Sequence, residues 1–171
     1  MTCEFHLTRR VEFCETDMAG IMHFSNFFRF MEAAEGAFIR SLGFSVVLSK
    51  SGIAVGLPRV HAECDYHAPL CYEDEVLVHL LVARKTTRSL SYLFRFYRLD
   101  GAGPRPAAVG RVTVVPVARQ EDGSLKAVAL PAALADRIEV APGNRLDSGL
   151  TPQELQALAA TGPHPLVPTP C

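Results

Sequence analysis

The sequence predicts an α+β fold in which one long helix packs on the concave face of an antiparallel sheet. The prediction depends on how the spacing of the apolar residues changes along the chain. Near the N-terminus they alternate with polar residues, they then recur at helical intervals, and the later apolar runs have strand character again. The order is therefore strand, helix and four further strands, which we interpret as a meander.

The first strand and the helix follow directly from these two periods. Over residues 5–13 apolar and polar side chains alternate, as in a half-buried strand. The helix is predicted over residues 26–42, with Ser25 and Asn26 supplying N-cap oxygens and Gly43 a left-handed C-terminal cap. Its apolar face consists of Phe27, Phe30, Met31, Ala34, Phe38 and Leu42.

Four more strands are predicted after the helix. The first alternates, the second is nearly continuous in Val and Leu, the third is rich in aromatic residues and the fourth in β-branched residues. They cover residues 59–67, 76–83, 90–97 and 109–117, and hairpins at 84–89 and 100–106 join the last three.

The end of the chain differs in composition, so residues 1–141 are predicted to form one domain and residues 142–171 a proline-rich extension. Six of the twelve prolines follow Ala141. Thr151, Pro152 and Glu154 form a helix start with a capping box, which predicts a short helix over residues 152–160. We expect the chain after Thr161 to be extended or disordered.

Composition and missing motifs exclude several classes of function. A formal charge of -1 over 171 residues provides no global attraction to nucleic acid or to an anionic membrane. The sequence has neither an apolar run of the roughly 18 residues that a spanning helix needs nor a signal-peptide start. It also lacks a Gly-x-Ser-x-Gly elbow, a phosphate-binding loop and a dinucleotide-binding turn. We expect a cytoplasmic protein with no nucleic-acid or membrane partner.

The chemically informative segment joins the first strand to the helix. A helix start offers unpaired N–H groups and the positive end of the helix dipole, which together polarise a carbonyl and stabilise an oxyanion. Asp17 lies a few residues upstream and could attack that carbonyl or activate a water molecule. Taken alone, an Asp three residues before a Gly more often only stabilises a turn, with its side chain bonded to its own backbone.

The arrangement of this segment resembles a known motif. The matching positions are Asp17-x-x-Gly20, the pair His23-Phe24, and Asn26, Phe28 and Glu32 on the helix. They are similar to the motif of the hotdog-fold acyl-CoA thioesterases, specifically the 4-hydroxybenzoyl-CoA thioesterase group, and the similarity extends over residues 5–117.

The resemblance implies a five-stranded sheet wrapped around the helix and an acyl-CoA thioesterase acting on an aryl- or medium-chain acyl group. It implies active sites at a dimer interface within a homotetramer, with no metal and no cofactor other than the CoA of the substrate. Asp17 is then the catalytic carboxylate and the Phe24 N–H the carbonyl-polarising group. Gly20 and His23 belong to the same catalytic set, and the role of His23 stays open. Substrate binding is assigned to Asn26, Phe28 and Glu32, and binding of the CoA phosphates to Arg88 and Ser89.

Other functions are compatible with the sequence. A hotdog dehydratase would use His23 as base and Glu32 as acid, although the proline that follows such a His-Phe pair is missing and Asp17 would have no role. A non-catalytic acyl-CoA-binding module is a second alternative, and an acyl-carrier protein could replace CoA in the substrate. A polar row of His61, Glu63 and His67 could bind a metal, but alternation alone produces such rows.

Overall fold

The computed structural model describes residues 1–100 and 103–160, and the backbone of residues 169 and 170. The strands are β1 (Thr2–Arg10), β2 (Arg59–Tyr66), β3 (Glu75–Lys85), β4 (Leu90–Leu99), β5 (Arg105–Val114), β6 (Val117–Arg119), β7 (Leu125–Ala127) and β8 (Thr169–Pro170). The helices are α1 (Asn26–Ser41), α2 (Ala132–Ala135), α3 (Gly143–Ser148) and α4 (Pro152–Ala160), and 3₁₀ turns cover Phe13–Glu15 and Leu48–Ser51.

The main sheet has the strand order β2-β5-β4-β3-β1-β8, with antiparallel neighbours throughout. The predicted α+β hotdog arrangement, five strands with α1 on one face, is confirmed, and β8 adds a two-residue strand beside β1. The meander is confirmed for β3, β4 and β5, but the expected pairing of β2 with β3 is wrong. At 1.5 Å per residue α1 is roughly 24 Å long, which is enough to carry the chain across the sheet from β1 to the opposite edge.

Both ends of the first connection differ in detail from the sequence prediction. β1 ends at Arg10, and although Val11 is still buried, Phe13 is 75% exposed. The chain turns into the 3₁₀ segment after Val11, so the Phe13 ring leaves the sheet and packs edge-on against Tyr72.

The helix α1 matches its predicted range, and Gly43 adopts the expected left-handed conformation with φ of 86°. The predicted N-cap is wrong, because neither Ser25 nor Asn26 accepts a capping hydrogen bond with its side chain. The Ser25 hydroxyl instead pairs with His23 Nδ1 at 2.8 Å, and Asn26 Nδ2 donates to the Glu15 carbonyl at 2.6 Å.

The core lies between α1 and the inner face of the sheet. Alternate residues of β3 point toward α1 and the residues between them point away, so the nearly continuous Val and Leu run is buried on both faces. The inner core includes Phe30, Met31, Phe38, Val78, Leu80, Tyr92, Phe94 and Phe96, all at most 1% exposed.

The opposite face of the sheet is covered by residues 137–160, here called the C-terminal segment. The strand side chains beneath it are here called the outer face. Its polar members are Glu4, His79 and Arg95, and its apolar members are Leu77, Leu81, Leu93 and Tyr97. The apolar members pack against Ala141, Leu146, Leu150 and Leu155 of the segment. Helix α4 occupies the span in which the sequence predicted a helix, whereas the expectation for the chain after Thr161 concerns residues outside the described part, apart from the backbone of residues 169 and 170.

Within the described residues, no helix is both long and apolar enough to cross a membrane.

Candidate active site

Asp17 lies in a tight loop between β1 and α1. An isolated bridge between Thr16 and Met22 closes the loop, and Asp17 N–H donates to the Ile21 carbonyl at 3.0 Å. Gly20 N–H donates back to the Asp17 carbonyl, and the φ of 75° at Gly20 is one that residues with a side chain rarely adopt. Gly20 therefore acts by allowing the turn.

The Asp17 carboxylate is only partly used by this turn. Oδ1 accepts the Ala19 N–H at 2.8 Å, which orients the side chain. Among the described residues no hydrogen bond to Oδ2 is found, and the side chain is exposed at the mouth of a cavity. The turn predicted for an isolated Asp is therefore present, and it uses one carboxylate oxygen and leaves the other at the cavity.

Asn26 fastens the loop to the start of α1. The Glu15 carbonyl accepts hydrogen bonds from both Asn26 Nδ2 (2.6 Å) and His23 N–H (2.9 Å). Asn26 is only 6% exposed and its amide is bonded to the loop, so the structure gives it a positioning contact, and its assignment to substrate binding stays a prediction. The Asn26 side chain therefore fixes the position of the Asp17 loop relative to the start of α1.

The Phe24 N–H is the donor best placed to polarise a carbonyl. The N–H groups of Asn26, Phe27 and Phe28 are bonded to carbonyls three residues earlier, and Ser25 N–H faces His23 Nδ1. Within the described part of the chain, the Phe24 N–H has no such partner. It precedes the first turn of α1, so a bound oxygen there would also experience the positive end of the helix dipole.

Asp17 and Phe24 lie on one apolar cavity of about 440 Å³. Its other walls are Ile21, Met22, Phe27 and residues 66–70. Tyr66 closes one side, with its hydroxyl donating to the Phe24 carbonyl at 3.3 Å and its ring edge-on to Phe27. The cavity is large enough for an aromatic or short apolar group.

The walls formed by residues 66–70 were not predicted as part of the site. They begin at Tyr66, the last residue of β2. This strand was expected beside β3, whereas its pairing with β5 brings its end next to the start of α1. Met22 N–H then bonds the Leu70 carbonyl at 2.6 Å. The sequence feature that could have indicated this wall is the aromatic pair Tyr66-His67, which precedes Ala68-Pro69 at the end of a strand.

Other predicted residues do not meet at this cavity. His23 Nδ1 is held by Ser25, and its ring packs at a tilt of 35° against Phe24 with the centroids 4.4 Å apart, outside the lining. Phe28 is half-buried and packs against the core. Glu32 lines a separate groove between α1 and β1 with Arg9 and Arg40, so it does not contribute to this cavity within one chain.

Arg88 and Ser89 lie at the other end of the sheet. Arg10, just before the Asp17 loop, pairs with Glu75 at the start of β3, and the hairpin follows Lys85 ten residues later. At 3.3 Å per residue that separation is roughly 33 Å. Ser89 is also engaged with Thr86 in the hairpin, so neither residue contacts the cavity of its own chain.

One buried group among the described residues has the side chains of a metal site, namely Glu4, His6 and His79. The two imidazole rings are stacked at 4.6 Å with an angle of 27°, so their in-plane lone pairs do not converge on one ion. Arg145 already supplies the positive charge, with Nε 2.9 Å from Glu4 Oε2. In the polar row of β2, Glu63 pairs with Arg111 and with His61. The absence of a metal or cofactor stays a prediction.

The fold and this loop together define a hotdog protein with a carboxylate beside a helix start. The model of the Thioesterase-like superfamily matches residues 11–138, and the chain belongs to that family.

Named relatives extend this finding. A "putative esterase" of Aquifex aeolicus is 38% identical over 97 residues, which are 56% of this chain and 74% of the relative. A 1,4-dihydroxy-2-naphthoyl-CoA hydrolase of Prochlorococcus marinus is 30% identical over 122 residues, 67% of this chain and 81% of the relative. The crystal structure of a 1,4-dihydroxy-2-naphthoyl-CoA thioesterase from Synechocystis superposes with a TM-score of 0.70 at 25% identity, covering 78% of this chain and 94% of the other.

Proposed function

We propose that the protein is an acyl-CoA thioesterase that hydrolyses an aryl- or medium-chain acyl-CoA to the free acid and CoA. The observation that carries the proposal is the Asp17 carboxylate, with one oxygen left free by the turn, on the same apolar cavity as Phe24. The relatives named above as acting on a naphthoyl-CoA favour an aryl group.

In this mechanism the thioester carbonyl accepts the Phe24 N–H, and the developing oxyanion is stabilised by that bond and the α1 dipole. Asp17 Oδ2 either attacks the carbonyl carbon, forming a mixed anhydride that water then hydrolyses, or takes a proton from the attacking water. In both routes the C–S bond breaks and CoA leaves as the thiolate. Ala19 N–H holds the carboxylate in position.

We also propose that a second copy of the chain completes the site. The edge strand β2 is exposed at seven of its eight positions, including Val60 (62% exposed) and Tyr66 (46%), and its outer edge has no partner strand among the described residues. Such an edge favours pairing with another strand. A partner chain is then the source of Arg88 and Ser89 for the CoA phosphates. A homotetramer and a cytoplasmic location stay predictions.

The test is release of free thiol from a panel of aryl-CoA and straight-chain acyl-CoA esters, with matching acyl-carrier-protein esters beside them. Thiol release that depends on acyl structure supports the proposal. If no ester on the panel is cleaved, the proposal is wrong.

The geometry favours hydrolysis over the dehydratase alternative. A dehydratase needs His23 and Glu32 as base and acid, yet His23 Nδ1 is held by Ser25 and Glu32 lines another groove. Formation of an enoyl or 3-hydroxyacyl thioester without free thiol would decide for the dehydratase. Tight acyl-CoA binding with neither product would decide for a binding module.

Asn26→Ala should lower kcat about tenfold or more, because the loop that carries Asp17 loses its side-chain tie to α1. The free energy of unfolding should fall by about 1–2 kcal/mol for the lost buried hydrogen bond. Steady-state kinetics and urea denaturation measure the two effects. The matched control is Asn144→Ala at an exposed position of α3, and equal kcat values for the two variants would contradict the positioning role.

Arg88→Ala should raise KM for CoA esters about three- to tenfold with little change in kcat, because the phosphates lie far from the reacting carbon. The comparison is Arg119→Ala, another exposed arginine, on β6. If both variants keep the KM of the unmodified protein, Arg88 does not bind the CoA phosphates.

A further inference from the structure

The outer face carries charges whose partners belong to the C-terminal segment. Glu4 on β1 accepts Nε and Nη2 of Arg145, at 2.9 and 3.2 Å, and Arg145 Nη1 also reaches Glu154 of α4 at 2.9 Å. His79 Nε2 lies 2.8 Å from the same Glu4 carboxylate. Arg145, which lies on α3, therefore links the sheet to α4.

The pKa values of Glu4 and Glu154 are consistent with ion pairs between these carboxylates and Arg145. Burial alone would raise the pKa of Glu4, but hydrogen bonds from His79 and Arg145 lower it to about 2. The hydrogen bond from Arg145 likewise lowers the pKa of Glu154 to about 2. Both carboxylates are charged at neutral pH, and Glu4 is 7% exposed beneath the segment, so lifting the segment breaks its ion pair with Arg145 and uncovers a charge on the outer face.

A second charge on the outer face is also satisfied by the segment. Arg95 of β4 donates through Nη2 to the carbonyls of Leu146 and Asp147, at 2.6 and 2.8 Å. Arg95 pairs in register with His79, and His79 with His6, so Glu4 and Arg95 lie on either side of His79. Without the segment, the outer face has a carboxylate on one side, a guanidinium on the other and apolar side chains around them.

The segment reaches the sheet through one very close approach. Gly149 has φ of 69°, and a Cβ built there would lie 2.6 Å from Tyr97 Oη and 2.7 Å from Arg95 Cδ. Any side chain at this position would have to lift the segment or push the Tyr97 and Arg95 side chains aside, and residues other than glycine rarely adopt this φ. Gly149 is thus the point at which a small change tests the contact.

We infer that the C-terminal segment is an intramolecular cover over a latent self-association surface, the outer face, whose partner is a second copy of this chain. A two-fold axis near His79 would place Glu4 of one copy beside Arg95 of the other and would bury the apolar side chains of both faces. Such a surface is self-complementary, as a two-fold interface requires. With the segment in place the surface is closed, so it adds no contact to the assembly proposed through β2.

The experiment compares Gly149→Val with Gly123→Val in the full chain. Gly123 has a similar φ of 83° in the β6–β7 hairpin, but a Cβ there meets nothing within 4 Å. Hydrogen exchange of residues 137–160 and the mass from sedimentation velocity are measured for each. For Gly149→Val we expect exchange in the segment at least tenfold faster and a doubled mass, with both unchanged for Gly123→Val. Adding Arg95→Glu to Gly149→Val should return the mass to that of the unmodified protein, because both copies then present two anions.

Unchanged exchange in Gly149→Val would overturn the cover, and faster exchange without a change in mass would overturn the self-association surface. If Gly149→Val does not fold, Leu155→Ser replaces it, since this loosens α4 without touching Arg145 or Arg95. Neither outcome depends on thiol release, which occurs at the cavity beside the start of α1, so failure here leaves the proposed function standing.

Discussion

Asp17→Asn is expected to lower the rate of thiol release by roughly a thousandfold or more, while the fold and the affinity for CoA stay nearly the same. An amide at this position still accepts the Ala19 N–H through its oxygen, so the turn survives. It neither attacks a carbonyl nor takes a proton at neutral pH, and loss of either role costs at least the 10²–10⁴-fold of general acid–base catalysis. Single-turnover kinetics with the best ester of the panel gives the rate.

Asp122→Asn is the matched control for this variant. The Asp122 carboxylate accepts the N–H of Ser124, two residues on, just as Asp17 accepts that of Ala19. It lies in the exposed β6–β7 hairpin, so Asp122→Asn changes a similar turn and leaves the cavity untouched. If Asp17→Asn keeps full activity, or if both variants lose it equally, Asp17 is not the catalytic carboxylate.

The second large effect expected is a loss of stability in mild acid that originates at His6. Burial, with the neighbouring His79, lowers the pKa of His6 from 6.5 to about 4. The unfolded chain therefore binds the proton more readily than the folded one, and stability falls as pH drops from about 6.5 toward 4. At 1.36 kcal/mol per pH unit, His6 alone accounts for a decrease of about 3 kcal/mol. Burial also lowers the pKa of His79, which acts in the same direction.

Urea denaturation between pH 7 and pH 4 measures this loss. His6→Gln should reduce the decrease by about 3 kcal/mol, because the glutamine does not titrate. His61→Gln, which removes an exposed histidine on β2, is the matched control, and an equal reduction in both variants would contradict the role of His6. An unmodified protein whose stability stays flat over this range would contradict the prediction. The loss linked to Glu4 comes separately, as pH falls from about 4.5 to 2, since its folded pKa is about 2.

The Asp17 loop was predictable from sequence because its geometry is local. Asp17, Gly20 and Phe24 are separated by a few residues, and a turn followed by a helix start brings such residues together in any fold that forms them. The helix range and its left-handed cap at Gly43 follow from apolar spacing and glycine chemistry in the same way. The geometry of such a motif is determined by residues that are close together in the sequence.

The remaining parts of the site depend on which strands pair. Tyr66 and His67 became cavity walls because β2 pairs with β5 and not with β3. The register of β1 with β3 puts Arg88 at the far end of the sheet from Asp17, so the two residues do not meet within one chain. Strand order is decided by the whole core, since α1 buries its apolar face only by crossing the sheet.

By itself, the sequence determined the element types, the long helix and the carboxylate beside its start, because each follows from spacing within a few turns or residues. Only the tertiary structure decided the strand order, the second wall of the cavity and the burial of the outer face. The Val and Leu run of β3 is buried on both faces, but nothing local in the sequence says that Leu150 and Leu155 supply the cover. Contacts between residues distant in sequence form where the summed burial of apolar area is greatest, and that sum is a property of the folded chain as a whole.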